Sequence, residues 1–474
     1  MTPHSESELA FLTIEAAARL LRRGEILSAE LIEAALRRIE RLNPSLNAFI
    51  SVSADAARRQ ARAADRELRR KRGSLALGPL HGIPISLKDN YCTRGIRTTA
   101  GSRILENFIP QGDAEAAARL ARAGAVLLGK TNMHEFAYGI TNENPHYGPV
   151  RNPWNRECMT GGSSGGSAAA LTAGIGLGAT GTDTGGSIRI PSGLCGVVGL
   201  KPTFGLVSVA GIIPLAETFD HAGPMARTVT DTCILLEAMA GEYPRGAVRP
   251  NFRNLRKIRP RKFRLGWPKE YFFERVDAEV KQAVEAAIKC LESLGGRIVP
   301  ISVPHLSESV EPSTNIAMAE ATHYHLSMGY FPAHEELYGE DVRKRLQLGI
   351  DVRAVDYLRA LGMKREIAKN FDAAFERVDL IVAPALPVAA PRLGTKEMEI
   401  AGEKETVRSA FVRLNRPANF TGHPAISVPC GITRAGLPIG LQLIGPYWGE
   451  ARLLAIALGY EEATEWHNRH PNLD

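Results

Sequence analysis

Apolar side chains recur at helical spacing through the first seventy residues of the chain. The pattern covers residues 13–42 and 54–71, with Arg and Glu at the positions between, as in helices that bury one face. Ser28, followed by Ala-Glu-Leu, has the residue type of a helix start. We therefore expect residues 1–72 to form a helical N-terminal part.

Short apolar runs bounded by Gly and Pro replace this pattern from residue 80 onward. Residues 81–90, HGIPISLKDN, predict a buried strand that ends in a polar loop. A helical pattern at 113–123 and a second apolar run at 125–128 follow. This alternation is typical of an α/β sheet, whose core we expect to begin near residue 75.

Helical patterns return in the second half of the chain, over residues 277–294 and 341–375. Strand-like runs at 378–384 and 425–429 then bring the chain back to the sheet. We expect a single domain with a core, a peripheral helical part that serves as a cover, and a return to the core sheet. These parts are residues 75–240, 241–375 and 376–474 of the domain 1–474.

The composition is that of an ordinary globular protein, with 44% hydrophobic and 23% charged residues and a mean hydropathy of −0.12. These values exclude a largely disordered or fibrous chain. The net charge of +7 arises from 58 basic and 51 acidic residues and does not require a nucleic-acid partner. The basic segment 253–264 is accordingly interpreted as an exposed connection rather than as an RNA contact.

No segment has the sequence pattern of a transmembrane helix or of a secretory signal peptide. The most apolar stretch, residues 168–180, is too short to cross a bilayer, and the first residues reverse the charge order of a secretory signal. Six cysteines without CxxC spacing indicate neither a zinc site nor a disulfide framework, and the pair His323 and His325 predicts no ligand set. We expect a cytoplasmic protein that has no metal, no cofactor and no membrane partner.

Three short motifs match functional patterns weakly. Residues 124–131 have the spacing of glycine and lysine that is found in a P-loop. Their middle positions, however, are bulky strand-forming residues, whereas the backbone of a phosphate-binding loop must curl around the anion there. Residues 176–181 match a dinucleotide fingerprint without a suitable strand and helix around them. Residues 161–165 match the nucleophile elbow of α/β-hydrolases, which requires a later acid and a later histidine. That class stays open as an alternative, because three late histidines exist: His423, His467 and His470.

Glycine and serine are concentrated between residues 161 and 211, in loops where the backbone approaches another group closely. Ser163 lies in GGSSGGS, Ser187 lies in GTDTGGSIR 24 residues later, and Lys88 precedes Ser163 by 75 residues. A serine hydroxyl needs a base within hydrogen-bond reach to act as a nucleophile, and a neutral lysine serves where no histidine does. Lysine, with a reference pKa of about 10.4, becomes such a base only in an apolar site. The apolar run 83–87 is consistent with that burial.

These three segments closely resemble the amidase signature family. The resemblance covers most of the chain from about residue 75 to 240 and from about 375 to 470, which is too extensive for chance. It implies an α/β fold with one large mixed central β-sheet covered by helices on both faces. It also implies an enzyme that cleaves carboxylic amides. The further segments that carry it are residues 190–203, 219–229, 416–422 and 436–445.

The resemblance implies a role for each of the three residues. Ser187 is the nucleophile that accepts the acyl group, Ser163 is the bridging serine that relays the proton, and Lys88 is the base. The bridging serine of the family follows a cis peptide bond. The bond between Gly162 and Ser163 is therefore the candidate for it.

An acyl transfer also needs hydrogen-bond donors for the oxyanion that forms. Glycine allows the backbone before Ser187 to turn several N–H groups toward one point. Asp183 and Arg189 flank this loop, and we expect them to hold it through hydrogen bonds or an ion pair. The expected oxyanion hole consists of the amides of Thr184, Gly185, Gly186 and Ser187.

The resemblance also places the acyl pocket after the strand at 125–130. Tyr138 in this segment is equally interpretable as a core aromatic. The helices at about 300–370 are the expected cover, in which substrate choice is encoded. The pocket residues implied are Ala137, Tyr138, Gly139 and Ile190.

Two candidate functions use this serine–lysine chemistry, and a third candidate function is not catalytic. The first is a self-sufficient hydrolase of small-molecule amides, with esters, anilides and carbamates as related substrates. The second is the glutaminase component of a tRNA-dependent amidotransferase, its A subunit, which acts with partner subunits. Ile190 stands where that component typically has Gln, and an apolar residue there favours the first function. The third, a non-catalytic binding protein, is disfavoured by the intact serines and lysine. A homodimer, a common arrangement among relatives, is compatible with the resemblance, which does not determine the oligomeric state.

Overall fold

Eleven strands form one continuous sheet in the computed structural model of the chain, which describes residues 5–70 and 77–473. The strands are β1 Phe49–Val52, β2 Pro84–Lys88, β3 Val126–Thr131, β4 Gly178–Asp183, β5 Val198–Lys201, β6 His221–Ala226, β7 Phe263–Pro268, β8 Gly296–Ile301, β9 Leu380–Pro384, β10 Ala425–Ile432 and β11 Pro438–Ile444. Their order across the sheet is β1-β3-β2-β4-β6-β5-β10-β11-β9-β7-β8.

The sheet is mixed. β2 pairs in parallel with β3 and β4, and β7 pairs in parallel with β8 and β9. The neighbours from β4 through β6, β5, β10 and β11 to β9 are antiparallel, as are β1 and β3. The predicted α/β fold with one large mixed central sheet is therefore confirmed.

Helices connect the strands and cover the sheet. The α-helices in the described part of the chain are α1 Glu6–Ala10, α2 Ile14–Arg23, α3 Ser28–Leu46, α4 Ala54–Arg70, α5 Glu115–Arg122, α6 Gly165–Thr172, α7 Arg189–Cys195, α8 Val229–Met239, α9 Leu255–Ile258, α10 Ala278–Ser293, α11 Val310–Ser327, α12 Glu340–Ile350, α13 Ala354–Arg377, α14 Val407–Thr421 and α15 Glu450–Glu462. None of these helices combines the length and the apolar character that crossing a bilayer requires.

The two faces of the sheet bury alternate residues of its strands, as the two-residue period of a strand requires. In β9, Leu380 and Val382 pack into a core with α8, α10 and α15. Ile381 and Ala383 of the same strand pack into a second core with α11, α13 and α14. Burial on both faces explains why the sequence of β9, LIVAP, is apolar throughout.

Two parts of the chain that were expected to be helical also supply strands. β1 lies within the N-terminal part and pairs with β3 at one edge of the sheet, because FISV is a short run of β-forming residues. β7 and β8 lie within residues 241–375 and form the other edge as a parallel unit around α10. These strands correct the expectation of a purely helical periphery. The boundary expected between residues 72 and 75 lies outside the described residues.

Two of the weak motif matches coincide with strands. Lys130 and Thr131 of the P-loop match lie in β3, where the Lys130 amine donates to the carbonyl of Tyr91 and to Thr98 Oγ1. Most of the dinucleotide match lies in β4. Neither segment forms the curled loop that a phosphate requires.

Candidate active site

Neighbouring elements of the sheet bring Lys88, Ser163 and Ser187 together. Lys88 ends β2 and Ser187 follows β4, and because these strands are parallel neighbours their carboxyl ends lie side by side. Ser163 lies just before α6, which begins at Gly165, so the glycine–serine loop expected over 161–167 ends in a helix. All three side chains are buried.

The amine of Lys88 is completely buried and lies within hydrogen-bond reach of two hydroxyl groups. Its Nζ is 2.7 Å from Ser163 Oγ and 2.8 Å from Thr182 Oγ1. Burial lowers the pKa of Lys88 to about 7, although the charges of Asp183 and Asp220 act in the opposite direction. A large fraction of this amine is therefore unprotonated near neutral pH and able to accept a proton.

Thr182 is a contact of Lys88 that the sequence prediction omitted. Thr180 and Thr182 lie two residues apart on β4, and Thr180 Oγ1 accepts the backbone N–H of Lys88 at 3.2 Å. The signal in the sequence is the alternation Thr-Gly-Thr, since residues two apart in a strand share a face. The two threonines position the backbone and the amine of the lysine.

Ser163 connects Lys88 to the segment that holds Ser187. The peptide bond between Gly162 and Ser163 is cis in the structure. Ser164 N donates to the carbonyl of Ser187 at 3.2 Å, so the two serine segments lie against each other. Lys88 and Ser163 are in direct contact, whereas Ser187 Oγ makes no hydrogen bond to Ser163 within the described residues and lines a pocket instead.

Asp183 and Arg189 form a fully buried ion pair, with Asp183 Oδ1 and Arg189 Nη2 2.9 Å apart. The Asp183 carboxylate also accepts the amides of Gly186 and Ile188, at 2.8 and 3.1 Å. Burial by itself raises the pKa of Asp183, but the charge and hydrogen bonds of Arg189 hold that pKa well below its ordinary value. The carboxylate therefore stays charged and fixes the loop that carries Ser187.

Arg189 also joins this loop to the C-terminal part of the chain. Its guanidinium donates to the carbonyl of Asn415 at 2.8 Å, to Gln442 Oε1 at 2.6 Å and to Asn419 Oδ1 at 2.7 Å. These partners belong to α14 and β11 and are 226 to 253 residues away along the chain. One side chain thus links the loop that carries Ser187 to a helix and a strand that are remote in sequence.

One of the four amides expected in the oxyanion hole is already engaged. Gly186 N donates to Asp183 Oδ1 at 2.8 Å, so its N–H is directed into the loop rather than toward a substrate. Within the described residues, the amides of Thr184, Gly185 and Ser187 have no acceptor, and all three residues line the pocket. The structure therefore narrows the candidate oxyanion donors to these three amides.

A narrow pocket lies in front of Ser187. Ala137, Tyr138 and Gly139 form part of its wall, and Ala317 of α11 contributes from the expected cover. The remaining residues of the wall are Ile140, Thr184, Gly185, Leu215, Arg408, Val412 and Arg416.

Ile190 lies elsewhere than the sequence analysis expected. Its side chain is completely buried in a cluster with Ile140 and Leu194, because α7 begins at Arg189 and turns Ile190 into the core. Ile190 is not part of the pocket wall in the described structure. Its apolar character therefore gives no direct information about the substrate.

Tyr138 is both a core aromatic and a pocket residue. Its ring belongs to the core that contains Phe136, and the guanidinium groups of Arg345 and Arg408 lie 5.3 and 5.9 Å from the ring centroid. Its hydroxyl is buried and has no hydrogen-bond partner among the described residues. The two interpretations that the sequence left open are therefore compatible.

Three pocket residues of α14 were not identified from the sequence: Arg408, Val412 and Arg416. They are spaced by four residues, so they share one face of the helix. That spacing is a signal which could have found the face. Nothing in the local sequence places this face beside Ser187.

Within the described residues, no histidine side chain hydrogen-bonds to the hydroxyl of Ser163, as an α/β-hydrolase would require. His423 hydrogen-bonds to Thr421 and Asp372, and His470 stacks on Phe11. The hydroxyl of Ser163 is paired with a lysine instead. The α/β-hydrolase alternative is therefore excluded.

The chain matches a known protein family in sequence. The amidase family model matches residues 30–454 of the chain. The chain is 40% identical over 492 residues to a protein from Moorella thermoacetica that is named as the A subunit of glutamyl-tRNA(Gln) amidotransferase, with 98% of this chain and 99% of that protein covered.

Two solved structures share the fold along their whole length. One is described as a vestigial protein complex that reveals the evolutionary origins of an s-triazine catabolic enzyme; it is 34% identical, with a TM-score of 0.88 over 95% of this chain and 98% of that chain. The other is described as an amidase and is 37% identical, with a TM-score of 0.87 over 95% of this chain and 99% of that chain.

Gly186→Ala should destabilise the protein much more than Gly185→Ala. Gly186 has a φ of 118°, and a Cβ there would lie 2.5 Å from Asn415 Cβ and 2.7 Å from Ile190 Cδ1. A Cβ on Gly185 would lie 3.4 Å from Arg416 Nε, which is an ordinary contact. In urea unfolding we expect Gly186→Ala to lose about 2–4 kcal/mol and Gly185→Ala less than about 1 kcal/mol. Equal losses would contradict this loop conformation.

Asp183→Asn should lower the free energy of unfolding by about 3–5 kcal/mol, because it leaves the buried charge of Arg189 without its carboxylate. Glu157→Gln is the matched control, since Glu157 forms an exposed ion pair with Arg392. That change should cost less than about 1 kcal/mol in the same urea titration. A loss for Asp183→Asn as small as that of the control would refute the structural role of the buried pair.

Proposed function

The chain belongs to the amidase family, and on this premise we propose that it is a serine hydrolase that cleaves the C–N bond of carboxylic amides. Anilides, carbamates and esters are related substrates, because all of them have an attackable carbonyl group. The observation that carries the proposal is the 2.7 Å contact between Ser163 Oγ and the amine of Lys88. The buried amine has a pKa lowered to about 7, which makes it a usable base.

In the first half-reaction, neutral Lys88 accepts the proton of Ser163, and Ser163 accepts the proton of Ser187. Ser187 Oγ forms a bond to the carbonyl carbon, and the carbonyl oxygen becomes an oxyanion that the free amides of the loop stabilise. When this intermediate collapses, the C–N bond breaks and the nitrogen receives the proton from Lys88 through Ser163. The amine leaves, and the acyl group remains on Ser187.

In the second half-reaction, water replaces the amine. Ser163 and Lys88 take one proton from the water while its oxygen bonds to the acyl carbon. A second oxyanion forms at the same amides, and its collapse breaks the bond to Ser187 Oγ. The proton returns to Ser187, and the carboxylic acid is released.

A second candidate function is that of a glutaminase which releases ammonia from glutamine for partner subunits. The identity of 40% to the amidotransferase protein of Moorella thermoacetica favours it. Two sequence features favoured the first function instead: the apolar Ile190, which is buried beneath the loop, and the likeness of residues 416–422 to free amidases. The activity of the purified chain without partners therefore distinguishes the two functions.

The purified chain alone should release aromatic amine from members of a panel of aryl amides and aryl carbamates. Ser187→Ala and Lys88→Ala should each lower kcat/KM by about 10²–10⁴-fold, because they remove the nucleophile and the base. Ser167→Ala is the matched control, since this buried serine bonds to Thr131 Oγ1 and to a carbonyl of β4 rather than to Lys88. Its kcat/KM should stay within about threefold of the wild type.

Substantial activity of Lys88→Ala would contradict the assignment of the base. If a fluorophosphonate labels Ser187 but no aryl substrate is turned over, glutamine with added partner subunits tests the second candidate. Absence of labelling in a folded protein would overturn both functions and leave the non-catalytic alternative.

The value of kcat/KM should rise with pH through about 7 and become constant above about pH 8. The reaction requires Lys88 without its proton, and burial lowers the pKa of Lys88 to about 7. An ordinary lysine, with a pKa of about 10.4, would place the rise about three units higher. The residual activity of Lys88→Ala should lack this transition in the same pH series. A transition near pH 7 that survives in Lys88→Ala would assign it to another group, such as a histidine.

A further inference from the structure

Two positive charges without an anionic partner line the pocket in front of Ser187. Arg408 and Arg416 both line this pocket, and neither forms an ion pair within the described residues. Arg416 Nη1 donates to Thr314 Oγ1 at 2.9 Å and to Ser313 Oγ at 3.5 Å, which are neutral groups. Its Nε is buried and has no hydrogen-bond partner among the described residues.

A third arginine near the pocket is already neutralised. Arg345 lies 3.2 Å from Asp341 Oδ2 and donates to the carbonyl of Tyr138. Asp341 is also bonded to His134 at 2.9 Å, so its carboxylate is shared by two groups. Asp341 is thus already engaged by Arg345 and His134 and forms no ion pair with Arg408.

The unsatisfied groups cost free energy unless something binds them. Burial and the charges of Arg345 and Arg416 lower the pKa of Arg408 to about 9, and burial lowers that of Arg416 to about 10. Both arginines are therefore still charged at neutral pH. The buried hydroxyl of Tyr138 also lacks a partner among the described residues. A carboxylate would satisfy all three groups, because it accepts hydrogen bonds from guanidinium and hydroxyl donors.

This charged face is close enough to Ser187 to contact a substrate. A Cβ built on Gly185 would lie 3.4 Å from Arg416 Nε and 3.5 Å from its Nη2, so this guanidinium lies over the nucleophile loop. Arg408, Val412 and Arg416 also line a wider outer groove, together with residues such as Tyr271. The arginines therefore stand where the pocket around Ser187 meets the groove that leads outward.

Within the described residues, the pocket wall has no acidic group that could bind a positively charged group of the substrate. No aspartate or glutamate is among the residues of its wall in the described structure. In this pocket an α-ammonium group would lie among the arginines without a carboxylate partner, which is unfavourable. The outer groove does contain an acidic residue, Glu274, whose carboxylate accepts the amide of Tyr271 at 2.8 Å. Glutamine, which carries both a carboxylate and an ammonium group, fits this wall less well than the same amide without the ammonium group.

We propose that the substrate of this site is an amide that carries a carboxylate a few atoms from the scissile C–N bond and has no ammonium group. Arg408, Arg416 and the hydroxyl of Tyr138 bind that carboxylate. This inference rests on the proposed amide hydrolysis and names its substrate class.

Ammonia release from three primary amides of similar length tests the proposal. The probes are glutaramate, which carries the carboxylate, pentanamide, which lacks it, and L-glutamine, which adds an ammonium group. We expect kcat/KM for glutaramate to exceed that for pentanamide by about 10- to 100-fold, and also to exceed that for glutamine. Equal or better hydrolysis of pentanamide or of glutamine would overturn the proposal.

Charge removal identifies the groups responsible for the preference. Arg408→Gln and Arg416→Gln should each reduce the ratio of kcat/KM for glutaramate over pentanamide by about tenfold. Arg434→Gln is the matched control, because this arginine lies in an exposed turn and its side chain is 95% exposed. Arg434→Gln removes the same charge and should leave the ratio of kcat/KM for glutaramate over pentanamide unchanged. If the pocket variants lower kcat/KM equally for both amides, the arginines act on the reacting carbonyl and not on a carboxylate, and the proposal fails.

Labelling of Ser187 by a fluorophosphonate separates this test from that of the proposed function. Each variant is titrated with the label, so that rates refer to folded, active sites only. If turnover of all three amides is too slow to measure, protection against labelling replaces it, and glutaramate should protect at lower concentration than pentanamide. Equal protection would overturn the carboxylate inference alone. Loss of labelling in the folded wild type would overturn the proposed hydrolase itself.

Discussion

The buried ion pair between Asp183 and Arg189 is the interaction on which the rest of the site depends. Asp183 accepts the amides of the loop that carries Ser187, and Arg189 donates to groups of α14 and β11. Either charge buried without the other would cost several kcal/mol, so the loop, the helix and the strand are stable together only in one arrangement. The position of Ser187 relative to the pocket face of α14 follows from that single pairing.

The same pair bears on the protonation of Lys88. Burial favours the neutral amine, while Asp183 and Asp220 favour the charged one. Arg189 compensates the charge of Asp183, and burial raises the pKa of Asp220 to about 6, so both carboxylates attract the lysine proton less than free carboxylates would. Desolvation therefore dominates, and the pKa of Lys88 falls to about 7. A buried lysine beside an unpaired carboxylate would keep its proton.

The two walls of the pocket supply different chemistry. The loop before Ser187 presents backbone amides, whose dipoles suit the transient charge of an oxyanion. The face of α14 presents the permanent charges of Arg408 and Arg416, which have no anionic partner within the described residues. Unpaired buried charges lower stability, and such costs are typical of sites kept for function rather than for folding.

The sequence singled out Lys88, Ser163 and Ser187 as candidates because their segments together resemble a family. Its alternating apolar runs predicted an α/β sheet, and the mixed character of that sheet was implied by the resemblance. The sequence did not show that Ile190 turns into the core, since closeness to Ser187 along the chain does not determine where a side chain points. It did not place the arginines of α14 at the site, because more than 200 residues separate them from Ser187. The sequence by itself determined which hydroxyl, amine and guanidinium groups the chain carries. Only the tertiary structure decided which of them meet and which are desolvated, because distance and burial between remote segments arise from packing.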